Sequence, residues 1–416
     1  MREPTSPVVI VGAGQTGVQV ADSLRQKGFG GPITIIGEEA DHPYQRPPLS
    51  KDFMNAAATN DTAALQLRPE GHFAKNNVDL LVHTRAIALN RSLQAVELDN
   101  GRRLPYSTLV LATGAEPRRL PVPGAELQGV YLFRTLADAR SLRSQLDQAR
   151  SVAIIGAGFI GLEFAAAART RGLAVTVLET AHAPLQRALS APMAEHLTEM
   201  HRQMGTQFRF GTTVSAIIGD GDHVTGVLDD QGTEHQADLV LIGIGVVPRA
   251  ELARASGLTV TDGIVVNERL LTDDPAIFAA GDCAVFPDSC GSMRRIESVQ
   301  NATDQGRHVA SQILGSVQPY SAVPWFWSNQ GPLRLQIAGL ASPGDDAIVV
   351  GDPHENRFSV FRFRDDNLVA VESLSRPADH AAARRLLAGQ RCPTPASVAE
   401  DGFNLKDFLN HPELVR

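Results

Sequence analysis

The chain has 416 residues, more than one hydrophobic core organises, so two or three domains are expected. Its 46 acidic and 38 basic residues give a net charge of −8, the wrong sign for a protein whose main partner is nucleic acid. No apolar run approaches the roughly 20 residues that span a bilayer. The first apolar stretch, Val8 to Val11, stops at Gly12 and is no secretory h-region. Three cysteines, Cys283, Cys290 and Cys392, make neither a disulfide framework nor metal-ligand spacing, which fits a reducing cytoplasm.

In chain order, the first element is a short apolar strand, Val8-Val9-Ile10-Val11, followed by Gly12-Ala13-Gly14-Gln15-Thr16-Gly17 and an amphipathic helix. A second apolar strand, Ile33-Thr34-Ile35-Ile36, then leads to Glu38. The whole unit returns later as Val152-Ala153-Ile154-Ile155, Gly156-Ala157-Gly158-Phe159-Ile160-Gly161, a helix, and Ala174-Val175-Thr176-Val177-Leu178-Glu179. In this pattern the first glycine makes a tight turn and the second lets backbone approach a pyrophosphate. The third lets helix pack on strand, and the helix N-terminus offers free N–H groups to phosphate. The terminal acid accepts hydrogen bonds from ribose hydroxyls. One such motif is weak evidence; two, each between a strand and a helix, predict two dinucleotide sites. Glu179 repels a 2′-phosphate, and Thr180-Ala181-His182 supplies no adjacent arginine to receive one. NADH is therefore expected over NADPH, with Arg187 the nearest cation that bends back.

Between and beyond the repeats, Pro117 to Gly124 and Gly243 to Pro248 are rich in breakers suited to crossings between domains. Ala276 to Ala280 reads as a buried strand that ends in Gly281 and Asp282. Phe361 to Arg364 and Leu368 to Val371 read as strands about a polar turn, and Ala378 to Gly389 reads as a helix. No Ser-His-Asp arrangement and no metal cluster is visible, as expected where cofactors carry the chemistry.

Several segments carry a closer likeness. Arg46-Pro47-Pro48-Leu49-Ser50-Lys51, Leu111-Ala112-Thr113-Gly114-Ala115 and Ala280-Gly281-Asp282 resemble the two-dinucleotide flavoprotein reductases. More narrowly, Arg294 to Ala302 and Pro324-Trp325-Phe326-Trp327-Ser328 resemble the ferredoxin reductases of bacterial P450 and aromatic-ring dioxygenase systems. The resemblance implies an α/β fold with two Rossmann-like domains, glutathione-reductase-like, and a C-terminal α+β domain. The FAD domain would be 1–118 and 250–322, the NAD domain 119–249, and the last domain 323–416.

What the resemblance implies for the site follows residue by residue. FAD would lie against Gly12, Gly14, Thr16 and Gly17, with Glu38, Arg46, Lys51 and Ala86 beside it. Ala112, Thr113, Gly114, Arg134, Asp282, Glu297, Val299 and Trp327 would complete its lining. NADH would lie against Gly156, Gly158, Ile160, Gly161, Glu163, Glu179, Arg187 and Gly245. Lys51 and Glu163 would be the catalytic pair: a cation near flavin N5 that stabilises the reduced flavin, and a carboxylate that fixes the cation. Disulfide reductases and NADH peroxidases of the superfamily need cysteine in the helix after the first strand pair, and Pro43 to Met54 has none.

Electrons must then leave the flavin directly. Three cysteines cannot supply an all-cysteine cluster within the chain, so the expected acceptor is a separate [2Fe–2S] ferredoxin or a rubredoxin. Arg294, Arg295, Arg307 and Arg68 are candidates for a basic docking rim. A monomer is expected. Two other readings share the motifs: an NADH oxidase or diaphorase that uses oxygen or quinone, and an NADH-sensing flavoprotein.

Overall fold

A computed structural model describes residues 6–55, 62–288, 291–389 and 391–410. Cys290 lies outside the described residues. The chain divides into two compact units. The first comprises Met1–Arg46, Thr59–Glu116 and Val246–Ala322; the second comprises Pro47–Ala58, Pro117–Gly245 and Val323–Arg416.

The first unit is built on five parallel strands in the order Ile277–Ala279, Thr108–Leu111, Val8–Val11, Ile33–Ile36 and Val78–Leu81. Strands of a parallel sheet are covered on both faces, so they read as continuous apolar runs instead of alternating ones. Val8–Val11 and Thr108–Leu111 are accordingly buried at every position. Val11 stands opposite Ile36 on one side and Leu111 on the other, so three strands end level and the chain turns there at Gly12. Helix Gln15–Gln26 buries Val18, Val20, Ala21 and Leu24 against the sheet. Helix Val299–Ile313 crosses it closely, because Gly306 has no side chain to strike Thr16 and Gln19.

The second unit repeats the plan with strands Thr206–Phe210, Ala174–Glu179, Ser151–Ile155, Leu239–Ile242 and Val130–Leu132, again all parallel. Its C-terminal part is a five-stranded antiparallel sheet: Trp325–Gln330, Leu333–Gly339, Asn367–Leu374, Arg357–Arg364 and Asp346–Asp352. The turn expected after Arg364 places Asp365 and Asp366 at φ of +47° and +62°, the left-handed pair of a tight hairpin. The helix expected over 378–389 is Pro377–Ala388.

Within this unit the antiparallel sheet is joined to helix Ala191–Gln203. Leu335, Ile337, Phe358 and Val360 pack on Met193, Ala194 and Leu197. A buried ion pair within the sheet, Arg362 with Glu372 at 2.8 Å, lies at the joint. Glu372 accepts from the Ser190 N–H at 2.9 Å and from its hydroxyl at 2.6 Å, and Ser190 caps that same helix. These extra donors offset the desolvation that pushes the Glu372 carboxyl above its usual range. The segment after Arg46 is held here as well. Arg143 lies 4.1 Å over the Phe53 ring, and Arg171 Nε donates to the Met54 carbonyl at 2.8 Å.

Candidate functional site

The two glycine-rich turns have the same construction. Gly12 has φ of +119° and Gly156 of +106°, backbone that side chains rarely adopt. A Cβ on Gly12 would overlap the Ala112 carbonyl oxygen, and one on Gly156 would strike the Gly243 oxygen at 2.5 Å. The third glycines, Gly17 and Gly161, carry their helices so close to Gly12 and Gly156 that a Cβ would overlap those carbonyl oxygens. The middle glycines differ. Nothing lies within 4 Å of a Cβ on Gly14, and only the Gly243 oxygen, at 3.8 Å, near one on Gly158. These open faces, each at the start of a twelve-residue helix, have the form of a cradle for a phosphate group.

The acid of the first unit is clamped. Glu38 is bound by both terminal nitrogens of Arg249, one contact being 2.8 Å, and Arg85 stands 3.9 Å away. The Arg249 hydrogen bonds hold the Glu38 carboxyl below its usual range. Arg249 is itself fixed, its carbonyl accepting from Thr113 Oγ1 at 2.5 Å and its N–H donating to the Gly114 carbonyl at 3.0 Å. The sequence reading missed Arg249; its one local signal is a position just after the breaker Pro248. Arg46 pairs with Glu39 at 2.6 Å and lies over the Tyr44 ring.

On the other side of Gly12, Gly281 abuts Thr16 and its N–H donates to Gln305 Oε1 at 2.7 Å. Gln305 is fully buried, and its Nε2 has no partner among the described residues. A donor left over beside the Gly281 turn fits a phosphate-bearing or hydroxyl-bearing group such as FAD. Asp282 follows in the same turn, and next to it Cys283 is fully buried, with burial pushing its thiol up. That thiol is a small core residue, bonded to the Leu111 and Ala280 carbonyls.

In the second unit Glu179 meets backbone instead of a cation. Its carboxylate accepts from the Ala157 N–H at 2.7 Å and the Ala181 N–H at 2.9 Å, with the Thr180 hydroxyl at 3.1 Å. Arg187 is exposed in the following loop, and Ile160, also largely exposed, opens the helix. Gly245 is exposed with φ of +95°.

Lys51 and Glu163, 112 positions apart, form an ion pair of 2.7 Å. Glu163 is buried on helix Phe159–Thr170 and also accepts from the Ser50 and Ser328 hydroxyls, both at 2.5 Å. Lys51 Nζ has a second acceptor, the Pro47 carbonyl at 3.1 Å. Trp327 lies on the opposite face of strand Trp325–Gln330 from Ser328, its ring 5.9 Å from that of Trp325.

The remaining expected residues are less telling. Ala86 opens a surface strand opposite Leu98, and Ala112 continues the strand that ends beside Gly12. The Arg134 N–H donates to Asp138 at the start of helix Leu136–Leu146. Val299 begins its helix, and the exposed Glu297 pairs with Arg295 at 2.5 Å. The four arginines of the expected docking rim each have an acid of their own. Arg294 meets Asp288, Arg295 meets Asp262 and Glu297, Arg307 meets Asp304, and Arg68 meets Asp22. Each of the four is thus paired with at least one acid.

Two dinucleotide-binding units in one chain, with a buried lysine–glutamate pair and no cysteine in Pro43 to Met54, define an oxidoreductase that joins two nucleotides. The family model for pyridine nucleotide-disulphide oxidoreductases matches residues 6–306, and that for the reductase C-terminal domain matches 325–409. Rhodocoxin reductase from Rhodococcus erythropolis is 44% identical over 96% of this chain and 93% of its own. Putidaredoxin reductase CamA from Pseudomonas putida is 40% identical over 97% and 96%. The crystal structure of the ferredoxin reductase for the CYP199A2 system of Rhodopseudomonas palustris superposes with a TM-score of 0.94. It is 41% identical and covers 97% of this chain and 99% of that one. The chain belongs to the pyridine nucleotide-disulphide oxidoreductase family, among its ferredoxin reductases. It is an FAD enzyme that uses NADH. No helix among the described residues is long and apolar enough to cross a membrane, and no acid, histidine and cysteine cluster there could hold a metal.

Proposed function

We propose that this enzyme moves electrons from NADH, through FAD, singly to a small iron–sulfur protein: a [2Fe–2S] ferredoxin, or a rubredoxin, that serves a P450 or a dioxygenase. The observation that carries the reading is the pairing of two nucleotide cradles with a cysteine-free Pro43 to Met54, which leaves no thiol relay. Bound FAD accepts a hydride and gives up single electrons, so it joins a two-electron donor to a one-electron acceptor. The first cradle, with Glu38, Arg46, Thr113 and Asp282, serves FAD; the second, with Glu179, serves NADH. Lys51 supplies positive charge to the flavin ring, and Glu163 holds that charge in one place. Trp327 serves the flavin from the C-terminal sheet. We further read the enzyme as cytoplasmic, a reading supported by its sparse cysteines, and as a monomer.

Stopped-flow mixing tests the electron route. Enzyme reduced anaerobically with NADH is mixed with an oxidised [2Fe–2S] ferredoxin. Rapid flavin reoxidation with matching bleaching of the ferredoxin is expected. Flavin that stays reduced with ferredoxins and a rubredoxin, yet reoxidises with oxygen or quinone, would replace this reading with an oxidase or diaphorase.

A further inference from the structure

The Lys51–Glu163 pair is the near end of a longer buried chain. Ser328 Oγ donates its one hydrogen to Glu163 Oε1, so it can only accept from its next neighbour, Gln330 Nε2, at 2.8 Å. The Gln330 amide is thereby oriented, with its oxygen turned toward His201 Nε2 at 2.9 Å. That oxygen can only accept, so His201 carries its proton on Nε2, and its Nδ1 has no partner among the described residues. Every donor points toward one carboxylate, and reversing any link would break another. Ser328, Gln330 and His201 are all essentially inaccessible to solvent.

Strand geometry explains why these residues can do this. Phe326, Ser328 and Gln330 share one face of strand Trp325–Gln330, while Trp325 and Trp327 share the other. Phe326 packs edge-on against Phe159 of the Glu163 helix, at 4.7 Å between ring centres. His201 comes from a third element, helix Ala191–Gln203. A one-residue slip of the strand would therefore remove Ser328 and Gln330 from the chain and Trp327 from its own face.

We infer that Ser328, Gln330 and His201 are positioning residues that fix the Glu163 carboxylate, and through it the Lys51 ammonium, and that lock the register of the Trp327 strand. The inference rests on the reading that Lys51 and Glu163 serve the flavin. The chain acts as a brace: it carries no proton out of the site and touches no reacting atom. Its loss should loosen the cation that stabilises the reduced flavin, lowering both the flavin midpoint potential and the rate of flavin reduction.

The test uses the FAD-loaded enzyme and reads two quantities: the midpoint potential of the bound flavin, and the rate of its reduction across a range of NADH concentrations. Ser328→Ala is expected to move the potential negative and to slow reduction at saturating NADH about tenfold, the scale of one hydrogen bond to a charged group. The NADH concentration at half-saturation should stay unchanged, and Ser328→Thr should restore both readings. Gln330→Leu, one link further out, should act in the same direction and more weakly, and it serves if Ser328→Ala does not retain FAD. Glu163→Gln separates the two layers of argument. If it leaves potential and rate unchanged, the Lys51–Glu163 reading fails. If it changes them while Ser328→Ala and Gln330→Leu do not, the brace alone is overturned.

Discussion

The two nucleotide cradles share a backbone and differ in how each holds its acid. Glu38 is gripped by a guanidinium from a residue 211 positions away, whereas Glu179 is held by N–H groups and a hydroxyl within 22 positions. On the proposed reading, the repeated strand-turn-helix serves a dinucleotide in both units. The charge presented at the acid is set separately, by residues the repeat does not contain. A carboxylate locked to one arginine suits a cofactor that stays bound. A carboxylate with no cation on it suits a nucleotide that comes and goes and must lack a 2′-phosphate.

Replacing the first glycine of each cradle should have the largest effect. Gly12→Ala and Gly156→Ala each force a Cβ into a carbonyl oxygen at positive φ, a strain of about 3 kcal/mol where neighbours cannot yield. Gly12→Ala should be isolated with little flavin absorbance. Gly156→Ala should keep its flavin and fail to bleach with NADH. The reverse pattern would exchange the nucleotides between the units.

Arg249→Ala comes next. The pair it breaks is part-exposed, so a single charged hydrogen bond's worth, about tenfold faster FAD release, is expected from flavin fluorescence. Affinity for NADH should not change; if it does, Arg249 belongs to the other nucleotide. Glu179→Ala should narrow the preference for NADH over NADPH, also by about tenfold or less, measured as the ratio of kcat/KM values. Flavin content should be unaffected.

Acid should reveal the smallest difference. Arg249 lowers the Glu38 carboxyl below its ordinary value of 4.5. The contribution of the pair is therefore present above pH 4.5 and is lost as pH falls through the lower folded-state value. FAD should be retained to a lower pH in the wild type than in Arg249→Ala, in which Glu38 loses the cation that lowers its carboxyl. Identical release curves would mean that the Glu38–Arg249 pair does not hold the cofactor.

What could be read from sequence was local and periodic. The runs Val8 to Val11 and Ala174 to Glu179, with glycines at fixed offsets, name their own strands and turns, because backbone sterics act over a few residues. The C-terminal hairpin was visible for the same reason: only a short polar turn separates its two strands. Residues that act across long separations were legible only where a motif carried them, as with Lys51 and Glu163. Arg249 had no motif. Ser328 ends the aromatic segment Pro324 to Ser328, yet its partner lies 165 positions away, and His201 looks like any helix residue. The acids that pair with the candidate rim arginines were hidden for a related reason. Asp262, which neutralises Arg295, is 33 positions distant, although the Arg307–Asp304 pair, one helical turn apart, was within reach.

In the proposed route, flavin is the sole redox centre between NADH and the outgoing electron. An anaerobic titration with NADH tests it directly, following flavin absorbance to its endpoint. Two electrons taken up per flavin, with complete bleaching, is the predicted result. Uptake of four would mean that a thiol pair shares the electrons, and the direct route from flavin to an iron–sulfur partner would be contradicted.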